Sequence, residues 1–142
     1  MFRKNNDTKI VGLGSSLCIG KLNGGFRIIH THHQNKPSIA LNMDIKQKED
    51  ICEYLKITCV GRRYLWKWNK RGTFDFPNSF YIDQNKEKKK VDIVIEYDMT
   101  ADGLYLCINI EDKDHSVVEK WSGWVSLECL RSRISDIVNI IY

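Results

Sequence analysis

Apolar and polar positions alternate most cleanly between Val91 and Glu111. Val91, Ile93, Ile95 and Tyr97 alternate with Asp92, Val94, Glu96 and Asp98. Leu104, Leu106, Ile108 and Ile110 alternate with Tyr105, Cys107, Asn109 and Glu111. A period of two is that of a strand with one face in a core. Asp102-Gly103 supplies turn chemistry in the connection. The pattern predicts a hairpin over 90–98 and 103–111, with a further strand over 117–125. The period then changes. Leu127, Leu130, Ile134, Ile137, Val138 and Ile141 form the apolar stripe of a helix. Ser126 is a suitable N-cap, and Glu128 complements the positive end of the helix dipole.

The rest of the chain is less regular. Lys9 to Ile19 reads as a turn between short strands, because GLGSS lacks the Gly-Lys-Ser/Thr of a phosphate loop. Asn23-Gly24-Gly25 signals a turn before a strand over 25–32. His33 to Lys36 is predicted as loop. Asp44 is positioned to cap a helix running to about Lys56, with Ile45, Cys52 and Leu55 on one face and Ile51 beside it. Ile57 to Val60 is read as a strand leading into GRRYLWKWNKRG, giving a strand over 57–69. Gly72 to Asn78, with Pro77, is predicted as loop and 79–83 as strand. Gln84 to Lys90 is a charged hairpin connection. The expected architecture is a single domain over 1–142. Its class is α+β, a mostly antiparallel twisted sheet or partial barrel with a mid-chain helix and a C-terminal amphipathic helix.

Composition narrows the class. The chain has 142 residues, enough for a core, with 42% hydrophobic and 28% charged residues. No apolar run approaches the roughly 20 residues of a membrane helix. MFRKNNDTKIVGLG lacks the apolar centre of a signal peptide, so a cytoplasmic protein is the expectation. The net charge of +4 fits nucleic acid or an acidic protein surface as partner. The five cysteines are widely spaced with no CxxC pair, so buried reduced thiols are expected.

Two stretches carry candidate chemistry. In Gly61–Gly72, strand alternation places Arg62, Tyr64, Trp66, Trp68 and Lys70 on one face. Arg63, Leu65, Lys67, Asn69 and Arg71 fall on the other. The binding surface read from this stretch is Arg62, Arg63, Trp66, Lys67, Trp68, Lys70 and Arg71, whose cations would neutralise phosphates while an aromatic stacks on a base. The second stretch is His30-Thr31-His32-His33, followed by Asp44. His30 and His32 share a strand face, and a carboxylate could complete a three-ligand zinc site with an open position.

HTHHQNKPSIALNMDI resembles the His-x-His, loop, Asp signature of JAMM (MPN) metalloproteases. The resemblance implies His30, His32 and Asp44 as zinc ligands of an isopeptidase-like hydrolase. The family's general-base glutamate has no counterpart, since no glutamate precedes Glu49. Glu111-Asp112-Lys113, with Asp92, Asp98 or Asp102 upstream, resembles the metal-binding end of PD-(D/E)xK nucleases. KVDIVIEYD, DGLYLCINI and SGWVSLECL are similar in outline to the strands of bacterial SH3-like domains, which implies a small binding barrel without catalytic residues. The leading expectation is a non-enzymatic binding protein that contacts nucleic acid, without cofactor. The alternatives are an inhibitor or immunity-type protein, a JAMM-like zinc hydrolase and a PD-(D/E)xK-like nuclease.

Overall fold

A computed structural model describes residues 10–14, 16–22, 25–30, 37–60, 70–100 and 102–142. The elements in chain order are β1 (Ile10–Leu13), β2 (Leu17–Leu22), β3 (Gly25–His30), β4 (Ser38–Leu41), α1 (Ile45–Val60), β5 (Arg71–Ile82), β6 (Lys88–Met99), β7 (Gly103–Glu111), β8 (Val117–Ser126) and α2 (Leu127–Ile141). The eight strands form one antiparallel meander in sequence order. Four strands and a helix thus occur twice. This is the α+β architecture expected from the alternation and the terminal stripe. No described helix is long and apolar enough to cross a membrane.

The hairpin of β6 and β7 has the register that alternation demands. Ile95 lies opposite Ile108, and Tyr97 opposite Leu106. These side chains face inward with Ile93, Ile110 and, from β8, Trp121 and Val125. Thr100 closes the turn by donating its hydroxyl to Gly103 O at 3.1 Å and accepting from Asp102 N and Gly103 N at 3.3 Å. The other two turns of this region are built on aspartates, the usual side chains for such turns. Asp83 Oδ1 accepts from Asn85 N and Glu87 N, and Asp112 Oδ1 from Asp114 N and Ser116 N.

Both helices lie on the inner face. In α2, Ser126 caps the start by accepting from Cys129 N at 3.0 Å. Leu130, Ile137, Ile140 and Ile141 are buried, and Leu127, Ile134 and Val138 pack against the core. α2 meets β1, β2, β3, β7 and β8, and α1 packs chiefly on α2. α1 begins with a reciprocal cap in which Gln47 N donates to Asp44 Oδ1 at 2.7 Å and Asp44 N to Gln47 Oε1 at 3.2 Å. Its buried face is Cys52, Tyr54 and Leu55, whereas Ile45 faces solvent, against the expected stripe.

Three readings of the sequence are corrected. Ile57 to Val60 continues α1 instead of starting a strand. Extending an existing helix adds a hydrogen bond per residue, while a new strand needs a neighbouring edge. Gly72 to Asn78 is strand, with Phe74 half-buried and Phe76 buried on the inner face. Proline falls at a bulge between Phe76 and Ser79, where the ladder is interrupted and no donor is missed. The buried Ser79 hydroxyl secures that bulge by donating to Phe76 O at 2.9 Å and accepting from Asn42 N at 3.1 Å. Ser38 to Leu41 forms β4, a four-residue strand that the reading placed in no element. The predicted strand over 61–69 lies outside the described residues.

The sheet curls until its two edges approach, although no ladder joins β1 to β8 among the described residues. Gly14 has φ +69 and abuts the Trp124 carbonyl, so no side chain fits there. A Cβ on Gly123 would lie 2.6 Å from Leu17 Cδ1. Ser16 Oγ donates to Ser122 O at 3.3 Å across the same seam.

Candidate functional site

The outer face of β5–β8 is covered by neither described helix. Register fixes which side chains stand together there. Arg71, Asp98, Tyr105 and Trp124 form one cross-strand row. Thr73, Glu96, Cys107 and Ser122 form the next, and Asp75, Val94, Asn109 and Lys120 the third. Asp92 and Glu111 stand opposite each other beyond it.

Tyr105 is 51% exposed and Trp124 40%, with ring centroids 6.1 Å apart. A large aromatic pair held on a rigid sheet in solvent is the unusual feature of this surface. A groove of about 570 Å³ runs beside it, lined by Arg71, Thr73, Glu96, Asp98, Tyr105 and Ser122 among others. A second groove of about 430 Å³ at the opposite end of the rows is lined by Asp75, Asp92, Glu111 and His115. In the two rows around the aromatic pair, Asp98 and Glu96 stand with Arg71, whereas at the far end Asp92 neighbours Lys90 and Lys113. Arg71 is engaged by Asp98 at 3.4 Å, and His115 Nδ1 lies 3.7 Å from Glu111 Oε1. The aromatic end of the face therefore carries a small excess of carboxylates in a chain whose net charge is +4.

Of the expected basic surface, Lys70 and Arg71 are described and exposed. Arg62, Arg63, Trp66, Lys67 and Trp68 lie outside the described residues. Arg71 joins the outer face at its corner.

Of the expected zinc ligands, His32 also lies outside the described residues. His30 ends β3, opposite Leu17, and its ring sits 5.2 Å from that of Trp121. Tyr81 approaches the same tryptophan at 6.4 Å and donates its hydroxyl to Glu119 Oε2 at 2.8 Å. Burial, first, and then the Glu119 carboxylate push the Tyr81 phenol well above its ordinary range. Asp44 caps α1, so its carboxylate is committed to a backbone N–H. Among the described residues no three histidine, cysteine, aspartate or glutamate side chains are grouped to hold a metal ion.

The nuclease-like residues are only partly brought together. Asp92 and Glu111 are direct neighbours, and Lys113 follows in the loop, where it lines a pocket of about 140 Å³ with Asp92. Asp98 stands six residues along β6, roughly 20 Å away at strand rise. Asp112 is spent on its turn. Cys18, Cys52, Cys107 and Cys129 are free thiols. Burial raises the pKa of Cys52, partly offset by Lys56, so this thiol is unreactive at neutral pH.

Comparison of the chain with protein-family models, curated proteins and solved structures gives no match. Of the segments that resemble SH3-like strands, KVDIVIEYD and DGLYLCINI lie in β6 and β7, whereas SGWVSLECL covers the end of β8 and runs into α2 from Leu127. The aromatic pair was not among the candidates read from sequence. Its signal was present, since Tyr105 alternates with Leu104 and Leu106, and Trp124 follows Gly123 in a half-polar strand.

Proposed function

We propose that this chain is a non-enzymatic binding domain whose outer β5–β8 face docks on a basic surface of another protein, in the manner of an inhibitor or immunity-type protein. The observation that carries the reading is the exposed Tyr105–Trp124 pair beside the Asp98 and Glu96 carboxylates. Tyrosine and tryptophan bury much area with few rotors to freeze, and they dominate protein interfaces. Carboxylates around them steer a cationic partner and set its register. The same charges repel phosphate, which argues against nucleic acid on this face.

The test is a calorimetric titration with an arginine-rich peptide and with single- and double-stranded oligonucleotides at low salt. The expected result is peptide binding that Trp124→Ala and Glu96→Lys each weaken about tenfold or more, with no oligonucleotide binding. Oligonucleotide binding, or peptide binding indifferent to both substitutions, would overturn the proposal.

A further inference from the structure

We infer that the space between the sheet and the two helices is a binding site for a small uncharged apolar molecule, no larger than a single six-membered ring. This inference is independent of the outer face. The space is a cavity of about 110 Å³. All eight strands and both helices contribute to its wall, with Phe26, Leu41, Tyr54, Phe74, Tyr97 and Ile137 among the lining side chains. Among the described residues no charged side chain lines it.

Natural interiors are packed to the density of organic crystals, with few voids larger than a water. A void at the joint of every element is therefore a departure that an occupant would repair. Water is a poor occupant, because it needs two to four polar partners and the wall is hydrocarbon and aromatic ring. An apolar cavity of about 150 Å³ lined by leucine, isoleucine and phenylalanine stays dry and accepts benzene or xenon. The present cavity is somewhat smaller and has the same chemistry. One wall is an aromatic shelf, with Tyr54 and Tyr97 4.9 Å apart and Phe74 and Tyr97 5.3 Å apart between ring centroids. Flat rings offer a compact planar molecule the stacked and edge contacts that aromatic groups favour. A carboxylate or ammonium would lose its hydration with no partner in return. α1, which rests chiefly on α2, closes one side with Ile51, Tyr54 and Leu55.

The experiment uses benzene and xenon as probes on the whole chain, with benzoate as the charged control. Benzene at ten times its Kd should raise the melting temperature by about 5 °C and saturate. Xenon should give a saturable resonance shift that benzene competes away, and benzoate should do neither. Ile51→Phe and Leu106→Phe each place a ring in the space, and the variant that keeps the wild-type circular dichroism should lose the benzene response. A wild-type protein that shows no saturable response to either probe overturns the inference. So does a folded filling variant that responds as the wild type does. Should neither variant fold, competition between benzene and xenon on the wild type decides.

Discussion

The two faces of strands β5–β8 share one backbone and differ in almost everything else. Inward, Phe76, Ile93, Ile108, Ile110, Trp121 and Val125 are buried and meet side chains from across the curl of the sheet. Outward, two residues away at most, stand Asp75, Glu96, Asp98, Tyr105 and Trp124 in solvent. The ladder hydrogen bonds hold both sets equally. What differs is the constraint. An inward side chain must match a fixed volume, whereas an outward one is free to be chosen for its chemistry. Stability and recognition are therefore separable along the same strand by steps of one residue.

The largest effect should come from the inner face. Ile108 is fully buried, so Ile108→Ala should cost about 2–5 kcal/mol in denaturant unfolding. Binding of the arginine-rich peptide to the remaining folded protein should be unchanged. A loss of peptide affinity at Ile108 would show that the two faces are coupled. The converse substitution is Trp124→Ala, which should cost about 2 kcal/mol of binding and less than about 1 kcal/mol of stability. Equal losses in both would break the distinction.

A subtler effect concerns the contact between Tyr81 and Glu119. A phenol whose proton is held more tightly in the folded state stabilises the fold fully below its unfolded value of 10.0. That contribution is lost as pH rises from there toward the folded value. Chemical unfolding from pH 8 upward should therefore fall more steeply above pH 10 for the wild type than for Tyr81→Phe. Parallel curves would place the Tyr81 phenol in solvent. The smallest change is Arg71→Ala. Its pair with Asp98 is exposed on both sides, and the stability loss should stay below about 1 kcal/mol and shrink with salt. Peptide affinity should rise, because the Asp98 and Glu96 carboxylates lose the cation that shares their end of the face.

The hairpin of β6 and β7 and the capped α2 were legible because each has one clear period and a recognised boundary residue. Ile57 to Val60 was not, because a short apolar run suits a strand or the end of a helix equally. Residues 72–78 were obscured by glycine and proline, which usually punctuate but here occupy a strand and its bulge. β4 is too short to show any period. At the site, the alternation identified Tyr105 as outward but not its neighbour across the ladder. Pairing Tyr105 with Trp124 needs the β7–β8 register, which is fixed by the Asp112 turn and the shift near Glu111. Charge misled for a related reason. The chain's net sign is a sum over all surfaces, and in the two rows around the aromatic pair Glu96 and Asp98 outnumber the one cation, Arg71.

The close approach of Gly14 to the Trp124 carbonyl and of Gly123 to Leu17 bears on how copies of this chain meet each other. An open eight-stranded meander exposes two bare strand edges, each a template for another molecule's backbone. Here the first edge is only four residues long and the curl brings it against the last. Two positions without side chains thus let the two edges close on each other. Bulk added at either glycine would force the two edges apart and leave both open to another molecule's backbone.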